Sequence, residues 1–490
     1  MNSFQISILL LLYFGLLFLI SYLTGKNDSN ETFYSGGKNS KWYLVAFGMV
    51  GASLSGVTFI SVPGWVGATQ FTYLQVVLGY FFGYLVIAYL LLPLYYRMGL
   101  RSIYEYLGER FGPKSQKTGA FFFFLSRILG ASFRLYLVAL VLHHFVLKSF
   151  GVPIEVTVVV SVALIYAYTF RGGIKTIVIT DTLQTFFMLS ALVLAIFLIL
   201  DNLELSAGAF ISSEVFDGYS RVFVFDDPMQ KNYFFKSFIG GIFITIAMTG
   251  LDQDMMQKNL SCKNIKEAQL NMVVFSIILI MVTGLFVFLG SLLFHYSEVN
   301  GMNLPMSNGA VKTDLLFPEI ALNQSLGLGI GITFFLGLIA AAYSSADGAL
   351  TALTTSFCLD FLDLERYPKE LQVKRRKQIH LAISVVLIVV IISFTYLLSD
   401  SVIDSLLTIA GYTYGPLLGL FAFGILTSYS IKEQWVALVS VISVATIALL
   451  GSLDARVLGG YQLGYELLPL NGLLTFIGLY FIRKSDAKTA

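Results

Sequence analysis

Charge is what this sequence has least of. Asp, Glu, Lys and Arg make up 12% of its 490 residues, while 57% are apolar; a soluble domain carries roughly 25% charged residues. Cysteine is nearly absent too. Cys262 and Cys358 alone build neither a disulfide framework nor a metal cluster. The four histidines, His143, His144, His295 and His380, show no ligand spacing, and the adjacent pair reads as a solvated helix end. There is no P-loop, no phosphorylated-aspartate pump signature, no nucleophile–base pair and no soluble domain at either end. These absences argue against an ATP-driven pump, a fused sensor kinase and an enzyme. A net charge of +2 gives no reason to expect nucleic acid as a partner.

What is present is apolar sequence in runs of about 20 residues, the length that crosses a bilayer as a helix. The first run, 5–24, has no basic leader and no Ala-x-Ala cleavage site in the following "NDSNETFYSGG", so it is expected to stay as a spanning helix. Thirteen spans are predicted: 5–24, 43–68, 74–97, 118–147, 154–170, 177–200, 234–256, 268–296, 325–358, 379–399, 403–427, 433–452 and 467–483. With these spans, 23 of the 31 Lys and Arg residues fall on one side, six on the other, and Arg127 and Arg134 inside a span. Basic residues gather on the cytoplasmic side. The expectation is therefore a multi-pass inner (plasma) membrane protein with its N-terminus outside and its C-terminus cytoplasmic.

Polar groups inside spans are costly and are candidates for function. In "GASLSGVTFISVPG" (51–64), Gly51, Gly56, Pro63 and Gly64 weaken the helix while Ser53, Ser55 and Thr58 supply oxygens. The stretch is either a kinked helix packed through small residues or an unwound one whose freed carbonyls hold an ion. In "AAAYSSADGALTALTTSF" (340–357), Ala341, Ser344 and Ser345 share a helical face, and Asp347 follows on the same side. A carbonyl and two hydroxyls are hard donors suited to a small hard cation such as Na⁺. The alternative is serines bonded back to the preceding turn, with Asp347 capping a water cavity. Asp181, in "GGIKTIVITDTLQ" (172–184), reads either as functional or as a favourable charge near a helix N-terminus. "GLDQDMMQKNLSCKN" (250–264) holds Asp252, Gln253 and Gln257, for which a solvated helix exit suffices. Arg134 lies near the middle of its span and needs a partner, a protein carboxylate or an anion that comes and goes. Arg127, nearer the basic side, reads as structural.

Together these stretches resemble the sodium/solute symporter family, the sodium-coupled sugar, iodide, proline, pantothenate and sialic-acid carriers, over nearly the whole chain. The "GGIKTIVITDTLQ" and "GLDQDMMQKNLSCKN" segments and the Ala-x-x-Ser-Ser pattern carry the likeness. The resemblance implies an all-α LeuT-type fold: two inverted five-helix repeats, about 43–200 and 234–427, with peripheral helices 5–24, 433–452 and 467–483. It implies a sodium site made by the carbonyls of Gly56, Phe59 and Ala341 and the hydroxyls of Ser344 and Ser345, with Asp181 beside it. Some members have a second sodium site, whose serine positions fall here on Asp347 and Gly348.

For the solute, the resemblance implies contacts from Thr58 and Arg134. The positions where sugar carriers use amides and aromatics fall on Pro63, Thr245, Met248 and Ala410, which speaks against a neutral sugar. The expectation is a sodium-coupled importer of a small organic anion, a carboxylate or acidic sugar derivative, working by alternating access in the lipid bilayer, with no obligate protein partner. The rivals are a proton-coupled carrier using Asp347 or Asp181, and a sensory or channel-like protein on the same scaffold.

Overall fold

The computed structural model describes residues 3–26, 29–143, 147–307, 310–323, 326–397 and 402–484. Apart from a two-residue pairing of Met306–Ser307 with Ala310–Val311, the described chain is helices and connections. The main helices in chain order are α1 (Ser3–Thr24), α2 (Trp42–Ser53), α3 (Gly56–Thr69), α4 (Tyr73–Met98), α5 (Pro113–Leu142), α6 (Ile154–Thr169), α7 (Ile174–Asn202) and α8 (Phe234–Gly250). Then come α9 (Gln253–Leu260), α10 (Ile265–Val299), α11 (Leu328–Phe361), α12 (Lys369–Tyr396), α13 (Val402–Leu426), α14 (Val436–Gly451) and α15 (Leu467–Phe481).

Eight of the described helices are long and apolar enough to cross a membrane, and ten spans result if each bent pair counts as one. Three shorter apolar helices, Ile8–Thr24, α6 and α15, stand where the remaining predicted spans were placed. α5 and α11 are among the most buried spans, and α12 and α14 the least, so the first two form the centre and the last two a lipid-facing rim.

Two spans are interrupted. α2 and α3 meet at 56°, across Leu54 and a non-helical Ser55 (φ 7°, ψ 167°). Of the two readings of this stretch, the interruption at Leu54 and Ser55 fits the unwound one, with Gly51 and Gly56 on either side. Gly51 has a second use: a Cβ there would collide with Thr185 Oγ1 of α7, and the Gly51 amide donates to that hydroxyl at 3.0 Å.

The second interruption was not foreseen. The span expected at 234–256 bends by 67° between α8 and α9 and runs on to Leu260. Breaking a helix in a membrane frees carbonyls that need donors. Here Tyr95 donates to the Gly250 carbonyl and Tyr104 to that of Leu251, each at 2.9 Å, and Asp252 caps α9 by accepting from the Met255 amide at 3.1 Å. The two broken spans lie at the starts of the two expected repeats. α7 packs along α11, and α11 crosses the α2–α3 break.

Candidate functional site

Where α11 crosses the α2–α3 break, oxygens from both converge. Ser345 Oγ lies 3.3 Å from the Ala52 carbonyl and 3.3 Å from that of Ala341. Its hydroxyl thus bridges the broken helix and its own preceding turn. Ser344 points to the other side and donates to Asp181 Oδ1 of α7 at 2.6 Å. Ala341, Ser344, Ser345 and Asp181 are all buried. Gly56 faces Ala342, where a Cβ would meet the alanine methyl at 3.6 Å. Further along, the Phe59 ring packs over Gly337, whose missing side chain makes room for it, and against Phe334. The structure therefore gathers Gly56, Ala341, Ser344, Ser345 and Asp181, with Phe59 about one turn away along α3.

Asp347 is fully buried rather than capping a water cavity. Its Oδ2 accepts from Tyr168 of α6 at 2.8 Å and its Oδ1 from the Gly348 amide at 2.6 Å. It makes no ion pair among the described residues.

Beside the break lies a cavity of ≈ 140 Å³. Ser55, Thr58, Ser61 and Trp65 line it from the α3 segment, Tyr84 from α4 and Arg134 from α5. The Arg134 Nε is buried without a hydrogen-bond partner, and its guanidinium forms no ion pair among the described residues. Thr245 and Met248, two of the positions that argued against a sugar, also line it. A larger space of ≈ 630 Å³ adjoins it, shares Trp65, Tyr73 and Met248, and extends to Asn232 and Gln462 on the less basic face. Ala410 lines that outer space.

Toward the basic face the cavity ends on a ladder of buried charges. Lys258 Nζ lies 2.9 Å from Asp181 Oδ2 and 3.4 Å from Asp254 Oδ1. Arg127 pairs with Asp254 and stands 3.6 Å from Asp252, which accepts from the Tyr414 hydroxyl at 2.6 Å. Arg127, read as structural from its position, is held by these carboxylates and also lines the cavity. The reading of Asp252, Gln253 and Gln257 as a solvated helix exit is wrong: all three are buried. Gln253 clamps the backbone of Arg101 and Ile103 at 2.7 and 2.9 Å, and Gln257 donates to the Tyr34 carbonyl at 2.6 Å. Asp254 and Lys258 were missed as site residues, Lys258 having been assigned to the basic face. Their opposite charges at a spacing of four on Gln253–Leu260 were the available signal.

Two broken spans, an oxygen-lined crossing and an adjoining cavity with an arginine that forms no ion pair among the described residues place the molecule in the broken-helix class of membrane proteins. The chain belongs to the sodium:solute symporter family, whose profile matches residues 33–434. The mouse sodium-coupled monocarboxylate transporter 1 is 27% identical over 415 residues, which cover 84% of this chain and 66% of the relative. The sodium/sialic acid symporter NanT of Aliivibrio fischeri is 25% identical over 427 residues, 85% of this chain and 82% of that one. The chain thus spans about two thirds of the length of the monocarboxylate transporters it matches. Among solved structures, a Na⁺-coupled sialic acid symporter in a substrate-bound outward-open state superposes with a TM-score of 0.81 at 20% identity, over 98% of both chains. A nucleobase-cation-symport-1 family transporter gives 0.58 at 15% identity, over 93% of this chain and 94% of the other. The fold is of the LeuT type, the family is one of multi-pass transporters rather than enzymes, and sodium is the ion against which the oxygen cluster is to be judged.

Proposed function

We propose that this protein is a sodium-coupled symporter that imports a small organic monoanion by alternating access. Na⁺ binds between the α2–α3 break and α11, held by the carbonyls of Gly56, Phe59 and Ala341 and the hydroxyls of Ser344 and Ser345. Neutral oxygen ligands suit an ion that must leave again. Asp181 orients Ser344 from behind, and Asp347 adds negative charge to the same buried cluster. The ion joins helices otherwise free to part, so its binding favours the arrangement in which the adjoining cavity accepts solute, and solute must favour sodium in turn.

The observation that carries the anion assignment is Arg134. A guanidinium whose buried Nε has no hydrogen-bond partner, and which forms no ion pair among the described residues, is ready for a carboxylate, which it grips at two points. Thr58 supplies a hydroxyl contact. Size narrows the class. A dry cavity of ~150 Å³ takes up one benzene molecule, so ≈ 140 Å³ holds roughly as much: a short-chain monocarboxylate. An acidic sugar would have to extend into the outer space. The names of the monocarboxylate relatives agree with this choice.

The basic face is taken as cytoplasmic, which puts the N-terminus and the larger space outside and makes this arrangement outward-facing. The test is uptake of propionate into proteoliposomes under an imposed Na⁺ gradient. Arg134→Ala should abolish it, and a variant that still accumulates propionate would remove the anion assignment. A proton-coupled reading survives as second, because Asp347 is buried without an ion pair among the described residues. Uptake driven by a pH gradient without sodium would favour it.

A further inference from the structure

We propose that the Lys258 ammonium is a built-in cation that occupies Asp181 and limits this carrier to one bound sodium ion. The inference rests on the sodium-coupled reading above and concerns how many ions the site takes.

Asp181 is a buried carboxylate whose Oδ1 already accepts the Ser344 hydroxyl at 2.6 Å. A carboxylate one residue's width from a cation site would itself attract a second sodium ion. Its other oxygen, Oδ2, instead faces Lys258 Nζ at 2.9 Å, with both side chains about 1% exposed. An ammonium about 4 Å from a sodium ion in a protein interior weakens that ion's binding on the order of a thousandfold. A second ion therefore cannot settle at Asp181 while Lys258 is charged and in place.

Lys258 is held where it is. It sits on α9, one turn beyond Asp254, whose Oδ1 lies 3.4 Å from its ammonium, and Asp254 is anchored in turn by Arg127. The signs alternate along the ladder, so each buried charge has an opposite neighbour, as buried charges require. The arrangement also sets the donor geometry at the sodium site. A carboxylate neutralised from behind still accepts the Ser344 proton, and a hydroxyl that donates its proton turns its lone pairs the other way, toward the ion.

Lys258 acts through Asp181 and is a positioning residue; its distinctive effect is on ion count. The experiment is equilibrium binding of radiosodium alone to the purified full-length protein, with Lys258→Gln and Lys258→Arg as variants and thermal melting as the check on folding. One ion per chain is expected for the unmodified protein and for Lys258→Arg, and two for Lys258→Gln. Two ions on the unmodified protein would overturn the proposal, whether or not the variants fold. So would a single ion on a folded Lys258→Gln. Failure of the underlying reading looks different: no saturable sodium binding at all.

Discussion

Ser345 and Arg134 do different work, and their substitutions separate the two ligands. Ser345 is the only described side chain that hydrogen-bonds the Ala52 carbonyl at the break. Ser345→Ala removes one hard oxygen from the proposed sodium cage. A ligand worth about 1.4 kcal/mol shifts an affinity tenfold, so the sodium concentration for half-maximal uptake should rise roughly tenfold. Unchanged sodium activation would exclude the residue from the cage. Arg134→Lys keeps the charge but loses the planar fork; propionate uptake should persist with a KM raised at least about tenfold, read from initial rates. Of these residues, the Ala-x-x-Ser-Ser triplet stood out as hydroxyls in an apolar helix, though only the family resemblance made it a candidate site, and the two hydroxyls point to different sides, Ser344 to Asp181 and Ser345 to the break. Lys258 did not: a lysine near a predicted span end looks solvated, and only the bend at residues 251–252 carries it inward.

The interrupted helices show why elements are read unequally from sequence. The α2–α3 break has local causes, Gly51 and Gly56 on either side of Leu54 and Ser55, and an unwound helix was one of the two readings of that stretch. The α8–α9 break has remote ones: the freed carbonyls of Gly250 and Leu251 are satisfied by Tyr95 and Tyr104, about 150 residues earlier in the chain. No local pattern announces donors so distant. The same contacts make testable elements. Arg127→Ala leaves Asp252 and Asp254 buried with less compensation, and losing one partner of a buried pair costs about 3–5 kcal/mol. Its melting temperature in detergent should fall clearly; an unchanged value would mean that the ladder relaxes without cost. Gly51→Ala forces α2 away from Thr185 and should destabilise by about 1–3 kcal/mol, as overpacking does.

At the scale of the whole molecule, the structure is asymmetric across the membrane. The cavity proposed for the solute adjoins a larger space on the less basic face, while Gln253, Gln257 and the charge ladder lie buried toward the basic face. Alternating access requires that buried layer to open and the outer space to shut. The sequence told little of this, since a seal is a property of residues assembled from distant spans. Sodium is assigned to the hinge between these states, at the crossing of α11 with the broken span. A 1:1 cycle of Na⁺ with a monoanion moves no net charge, so uptake should be insensitive to membrane potential, whereas each uncompensated charge would contribute about 2.3 kcal/mol per 100 mV. The coupling itself is measured most directly by titrating propionate into the purified protein by calorimetry, once in sodium and once in potassium. Binding about tenfold or more tighter in sodium is the predicted result; equal affinity in the two salts would contradict the account.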